Sequence, residues 1–314
     1  TADEKYLVYH REVPGDNKNE IQLHRLDLES GQSIQITDGN CPEAKWEPWG
    51  VDSARGIMGD RSALEPKTGR VVYFDGQVVH CVNLYTLEDK VLFTIPEDRY
   101  PISQNCVTGN GEWFVYILVD REKYNNLLSM RLKKGGKYFR DMAHNCEATQ
   151  ICAYNLNTGE QRVLFRINYP VHHIHGYDEN NLVFSHIPGE KYGIGFTDIQ
   201  GDWYSILRPQ DEKGGKICHH VPTDRGIAYE VNFRTDASWV GIINPDNHKK
   251  YEWTVPGEVS HTGCDPAGKL FFYHVNDQKI KVLKRHNPEG EDQWEAIIGS
   301  WKTHGKGQKS HFHP

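Results

Sequence analysis

Residue types suited to metal chemistry stand together at Gln308-Lys309-Ser310-His311-Phe312-His313-Pro314. Side chains alternate along an extended chain, so His311 and His313 project to one side. Gln308, three residues upstream, can add an amide oxygen. Two imidazoles with an oxygen beside them supply most of a small divalent-metal site. A His-rich loop end would carry the same letters, and the rest of the chain has to decide between the two readings.

Other histidines recur at equivalent points of an internal repeat. His172 and His173, then His219 and His220, then His261, each open a polar strand. A turn with Asp or Gly follows, and then an aromatic strand such as Leu182-Val183-Phe184, Ile227-Ala228-Tyr229 or Leu270-Phe271. The turn residues Asp178, Asp224 and Asp265 lie 46 and 41 residues apart. A second hairpin alternates with this one. Ile21–Leu28 with Ser33–Gly39, Val82–Asp89 with Lys90–Pro96, Ile151–Gly159 with Gln161–Phe165, and Val240–Asn247 with Lys250–Gly257 all follow its plan. Such short β-rich runs closed by turn signals read as strands. Four strands in a unit of about 40–50 residues predict an all-β chain folded as a β-propeller.

The expected organisation is one propeller over residues 1–314 with an insertion at about 121–145. Seven blades are expected, the last only begun by His311-Phe312-His313-Pro314; a six-bladed ring closed by that strand is the alternative. Residues 1–40 hold three strands of a blade and lack its first. In a propeller the first strand of each blade lines the central channel, so the recurring histidines converge on one mouth. Imidazoles titrate near neutral pH, and a cluster of them implies a metal centre or acid/base work. The insertion carries Leu127, Leu128, Met130 and Leu132 beside a basic group, and reads as a lid or a surface loop.

Bulk properties exclude several classes. A net charge of −7 without a Lys/Arg run argues against a nucleic-acid partner. No apolar run approaches the roughly 18 residues that span a bilayer. No signal segment is present, although a mature chain that had lost one would look the same. The seven cysteines show no CxxC pair and read as reduced thiols, which favours the cytoplasm, with the periplasm as the alternative. There is no phosphate-binding glycine loop, no GxSxG elbow and no HExxH.

At several of these residues the sequence resembles the oligogalacturonate lyases, seven-bladed propeller polysaccharide lyases of pectin breakdown. The resemblance rests on Asn155-Leu156-Asn157-Thr158-Gly159-Glu160, Cys218-His219-His220-Val221-Pro222, Val259-Ser260-His261 and Gln308–Pro314. It implies Mn²⁺, or another divalent cation, held by His261, Gln308, His311 and His313. It implies a histidine base in the preceding blade, at His219 or, one alignment step away, His220. The reaction implied is β-elimination at a uronate of an acidic oligosaccharide, leaving a 4,5-unsaturated product. The family's substrate-facing Arg is missing from Tyr192-Gly193-Ile194-Gly195-Phe196-Thr197-Asp198. Arg234 or Lys191 could replace it, and His172, His173 and Arg234 are the candidates for meeting the substrate. The competing readings are a non-catalytic binding scaffold and another metal-dependent sugar-active propeller enzyme, such as a lactonase. A carboxylate-rich calcium site, typical of lactonases, is not what these histidines suggest.

Overall fold

The computed structural model describes residues 1–13, 19–44, 54–58, 61–126, 149–167, 171–186, 193–209, 216–232, 237–256, 259–275, 279–285 and 293–300. Most of the insertion, Lys191, Arg234 and the Gln308–Pro314 motif lie outside them. The chain divides into two compact units.

The first unit comprises Thr1–Asn180 and Ile199–Asp202. Its strands β1 (Tyr6–Val13), β2 (Glu20–Asp27) and β3 (Ser33–Gln35) form an antiparallel ribbon. Next come β4 (Cys41–Ala44) and β5 (Ala54–Gly56); β5 runs parallel to β2 over two residues. A four-stranded antiparallel sheet follows: β6 (Ala63–Glu65), β7 (Arg70–Asp75), β8 (Val78–Asn83) and β9 (Asp89–Thr94). Another is built from β10 (Arg99–Val107), β11 (Trp113–Asp120), β12 (Thr149–Asn155) and β13 (Gln161–Ile167). Residues 121–126 form a helical turn after β11, and β14 (Val171–Gly176) packs beside β10.

The second unit comprises Asn181–Asp198 and Trp203–Pro314. It contains the antiparallel run β15 (Asn181–His186), β16 (Gly193–Asp198) and β17 (Ser205–Pro209). Two four-stranded sheets follow. One is β18 (Lys216–Thr223), β19 (Gly226–Asn232), β20 (Ala237–Ile243) and β21 (Lys250–Pro256). The other is β22 (Val259–Cys264), β23 (Leu270–Val275), β24 (Lys279–Arg285) and β25 (Gln293–Ser300). In each four-stranded sheet the spatial order equals the chain order, which is the blade of a propeller.

The repeat is built from local chemistry. The third strand of a sheet ends in Asn or Asp, whose Oδ1 accepts the backbone N–H groups two and three residues on. Asp27, Asn83, Asn155 and Asn244 all do this, at 2.8–3.2 Å. The fifth residue of each turn sits at positive φ: Gly31 at 69°, Leu87 at 61°, Gly159 at 78° and His248 at 57°. An Asx turn followed by a left-handed residue reverses the chain tightly. Asp27 makes this turn between β2 and β3, and the sheet that holds β1–β3 has five strands because β5 and β4 join it along β2.

The faces between successive sheets are apolar. Val71 and Tyr73 of β7 with Val82 of β8 pack on Ile21 and Leu23 of β2. Val240 and Ile242 of β20 with Trp253 and Val255 of β21 meet Phe271 and Tyr273 of β23. Alternate residues therefore face one neighbour, and the intervening ones face the next. Strands β11 and β12 are buried almost throughout, on both faces. Each fully buried Val, Leu, Ile or Phe there contributes about 1.5–3 kcal/mol through burial.

His10 on β1 is enclosed by this packing, although the residue keeps an exposed edge. Ser62 Oγ lies 3.2 Å from its Nε2. Burial lowers its pKa from 6.5 to about 4. As the pH falls, the unfolded chain therefore takes up the proton first. The stability from keeping His10 neutral is complete above about pH 6.5 and is lost between there and pH 4. The loss expected is about 3 kcal/mol at most. Urea midpoints at pH 7 and at pH 4.5 measure it, and His10→Gln should flatten the difference.

Candidate active site

The strand that carries His219 and His220 is irregular where they stand. Lys216 and Ile217 of β18 face Asn232 and Val231 of β19, and then His220 faces Tyr229. Cys218 and His219 together face the single residue Glu230. Such a β-bulge re-aims side chains and suits functional sites, and here it sends the two imidazoles to different surroundings. His220 is buried, with Nε2 donating to the Val183 carbonyl at 3.3 Å. The His219 side chain is 18% exposed, and its Nδ1 lies 2.7 Å from Glu230 Oε1.

Glu230 is 1% exposed. Its second oxygen, Oε2, accepts from Thr262 Oγ1 on β22 at 2.7 Å. Thr262 follows His261, and β22 is bulged as well: Val259 faces Val275 and His261 faces His274, which leaves Ser260 as the extra residue. The predicted base and a predicted metal ligand thus stand on the adjoining strands β18 and β22. Only the backbone of His261 is described.

A parallel arrangement occurs in the first unit. Ile102 of β10 faces Ile117 and Cys106 faces Val115, so Ser103, Gln104 and Asn105 bulge opposite Tyr116. Gln104 Oε1 accepts from Nδ1 of the buried His173 at 2.7 Å. Asn105 Nδ2 donates to the Arg61 carbonyl at 2.9 Å. Arg61 is fully buried, with its guanidinium 5.3 Å from the Tyr100 ring; Arg121 lies 5.4 Å from the same ring.

Among the predicted site residues, His173, His219 and His220 are placed with their side chains. His172 on β14 and His261 on β22 are placed by strand position alone. Gln308, His311, His313 and Arg234 lie outside the described residues. Among the described residues, no group of three or more His, Cys, Asp and Glu is placed to hold a metal ion. The donors that the resemblance implies are three imidazoles and an amide oxygen, a neutral set able to bind a divalent cation.

Glu230, Thr262 and Gln104 escaped the sequence reading. Glu230 had a usable signal, being the one charged residue in the apolar strand Ile227-Ala228-Tyr229-Glu230-Val231. An acidic group in such a run is paired or functional. The buried thiols do not join the site. Burial pushes Cys106 and Cys152 up to about 12, which leaves them unreactive at neutral pH.

No protein-family model matches the chain, and no curated protein matches it in sequence. Solved structures do resemble it. An oligogalacturonate lyase in complex with manganese superposes with a TM-score of 0.76 at 17% identity, over 98% of this chain and 77% of that one. An oligogalacturonate lyase from Vibrio parahaemolyticus gives 0.75 at 17% identity, over 97% and 77%. The fold is an all-β propeller. Prolyl endopeptidases, described by the role of inter-domain dynamics in catalysis and specificity, reach 0.60 at 10% identity over 95% of this chain and 42% of theirs. At these identities the likeness concerns the fold, and function has to be argued from the site.

Proposed function

We propose that the chain is a metal-dependent lyase that cleaves uronate-containing oligosaccharides by β-elimination, with His219 as the base. The observation that carries this reading is the contrast between adjacent histidines. The bulge in β18 leaves His219 partly exposed, while His220 is held in the core on a backbone carbonyl. The fold shared with two oligogalacturonate lyases and the Gln308-to-His313 motif support the same reading.

The hydrogen at C5 of a uronate lies α to the carboxylate and is weakly acidic. The Glu230 carboxylate oxygen beside Nδ1 of His219 requires the proton there, so Nε2 is the basic nitrogen. That nitrogen takes the C5 proton, a task suited to an imidazole. The electron pair becomes the C4–C5 double bond, and the C4–O bond breaks. The departing alkoxide gains a proton that balances the one taken from C5, so the two products together have the composition of the substrate and no water is consumed. A divalent cation held by His261, Gln308, His311 and His313 would bind the substrate carboxylate and stabilise charge as it develops. Arg234 remains a candidate for positioning the sugar.

Incubation with digalacturonate, longer oligogalacturonates and other uronate oligosaccharides is expected to produce the ultraviolet absorbance of a conjugated unsaturated uronate. EDTA should abolish the signal, and Mn²⁺ should restore it. Absence of product from every uronate, in protein shown by elemental analysis to hold its metal, would sink the elimination reading.

A further inference from the structure

We infer that Glu230 is a positioning residue for His219 and that Thr262 holds Glu230 in place. This rests on His219 being the base. Three side chains from three strands meet in sequence: the His219 imidazole on β18, the Glu230 carboxylate on β19 and the Thr262 hydroxyl on β22. Both contacts are 2.7 Å long, and one bond is made to each carboxylate oxygen. A carboxylate is an acceptor only, so the hydrogens belong to His219 Nδ1 and Thr262 Oγ1. The neutral imidazole is thereby fixed as the Nδ1–H tautomer, with its lone pair on Nε2. A base presented as the wrong tautomer has no lone pair where the substrate's proton lies.

Geometry separates this role from a passive one. Glu230 is 1% exposed in an otherwise apolar strand, and a buried carboxylate costs stability unless both oxygens are engaged. Leucine or valine at this position would fill the space without that cost. The carboxylate also stabilises the imidazolium formed when His219 takes up the C5 proton, because opposite charges attract strongly where water is excluded. Thr262 prevents the carboxylate from rotating away from the imidazole. Since Thr262 follows His261 directly, the same contact ties the base to the strand that bears the first predicted metal ligand.

The test compares Glu230→Gln and Thr262→Val with the unaltered full-length protein, with Thr262→Ser as the conservative control. Glu230→Gln keeps the size but offers an amide, which can turn N–H toward Nδ1 and favour the opposite tautomer. Its kcat for uronate elimination should fall about 10²-fold with KM changed less than about threefold. Thr262→Val should lose about tenfold, and Thr262→Ser should restore most of it. An independent readout needs no substrate. Nitrogen-15 NMR of the imidazoles, with diamagnetic Mg²⁺ present and His219 assigned by its loss in His219→Gln, should report Nδ1–H in the unaltered protein and a shift toward Nε2–H in Glu230→Gln. Unchanged turnover in Glu230→Gln, or an Nε2–H tautomer of His219 in the unaltered protein, overturns the inference. If no uronate is cleaved, the NMR arm still decides it: an Nδ1–H tautomer lost in Glu230→Gln upholds the positioning role while the lyase reading fails.

Discussion

Replacing His219 by alanine should lower the rate of unsaturated-uronate formation by about 10²–10⁴-fold, the usual contribution of a positioned general base. The fold should persist, because this side chain is partly exposed and is not a member of the apolar packing between sheets. His219→Ala leaves Glu230 with Thr262 as one partner and opens space for water at the other oxygen, so its stability cost should be modest. His220→Ala is the informative contrast. Its imidazole is buried and donates to the Val183 carbonyl. Removing it leaves that carbonyl short of a donor and opens a cavity, at a cost of about 1–3 kcal/mol. The expected pattern is loss of rate with stability retained for His219, and loss of stability with the chemical step retained for His220. Steady-state kinetics beside urea denaturation reads both. The reverse pattern would move the base to His220.

The second large effect concerns a buried ion pair in the second unit. Arg208 Nε on β17 donates to Glu252 Oε1 on β21 at 2.8 Å, with the two side chains 7% and 13% exposed. Tyr229 on β19 donates its hydroxyl to the same oxygen at 2.7 Å. Burial first, and then Glu252, push the pKa of Tyr229 up, so it remains a donor at any ordinary pH. Lys250 Nζ stands 3.6 Å from the other oxygen, and Arg208 also donates to the Pro209 carbonyl at 2.6 Å. Glu252→Leu removes the acceptor that Arg208 and Tyr229 share. A buried cation without its partner is strongly unfavourable, and the expected loss is about 3–5 kcal/mol. The double variant Arg208→Met with Glu252→Leu should recover most of that loss, because an apolar pair of similar size needs no desolvation of charge. Urea denaturation of the two variants checks this. If the double variant is as unstable as the single one, the damage comes from lost packing and not from the stranded cation.

Much of the architecture was legible because its causes are local. The Asx turns are written as Asp or Asn followed, four residues later, by glycine at Gly31 and Gly159. At Leu87 and His248 the same left-handed position is filled by residues other than glycine, of which leucine is the less suited. There the turn follows from the Asn83 and Asn244 side chains and the flanking strands, not from the fifth residue. The hairpins read from the sequence fall on β2–β3 and β12–β13, whereas β8 (Val78–Asn83) and β20 (Ala237–Ile243) lie three to four residues upstream of the strands read at Val82–Asp89 and Val240–Asn247, whose ends are the Asn83 and Asn244 turns. The short strands β4 and β5 were not legible. They lack a periodic pattern, and β5 pairs parallel with β2 through contacts distant in sequence.

The candidate site divides in the same way. That histidines gather at the starts of successive units was evident from the spacing of His172, His219 and His261 against the repeat. Which of two adjacent histidines pairs with a carboxylate was not evident. Strict alternation would place His219 and His220 on opposite faces without saying which face meets a carboxylate. The choice belongs to the bulge between β18 and β19, which sets Cys218 and His219 together against Glu230 and returns His220 to the core. The carboxylate is 11 residues from His219, and the threonine that holds it is 32 residues further on. The sequence by itself determined most of the strands, the turns and the recurrence of histidine at the starts of successive units, because periodicity and turn chemistry act over a few residues. Tertiary structure decided which imidazole is paired, because a bulge and a three-strand hydrogen-bond chain exist only once the sheets have packed.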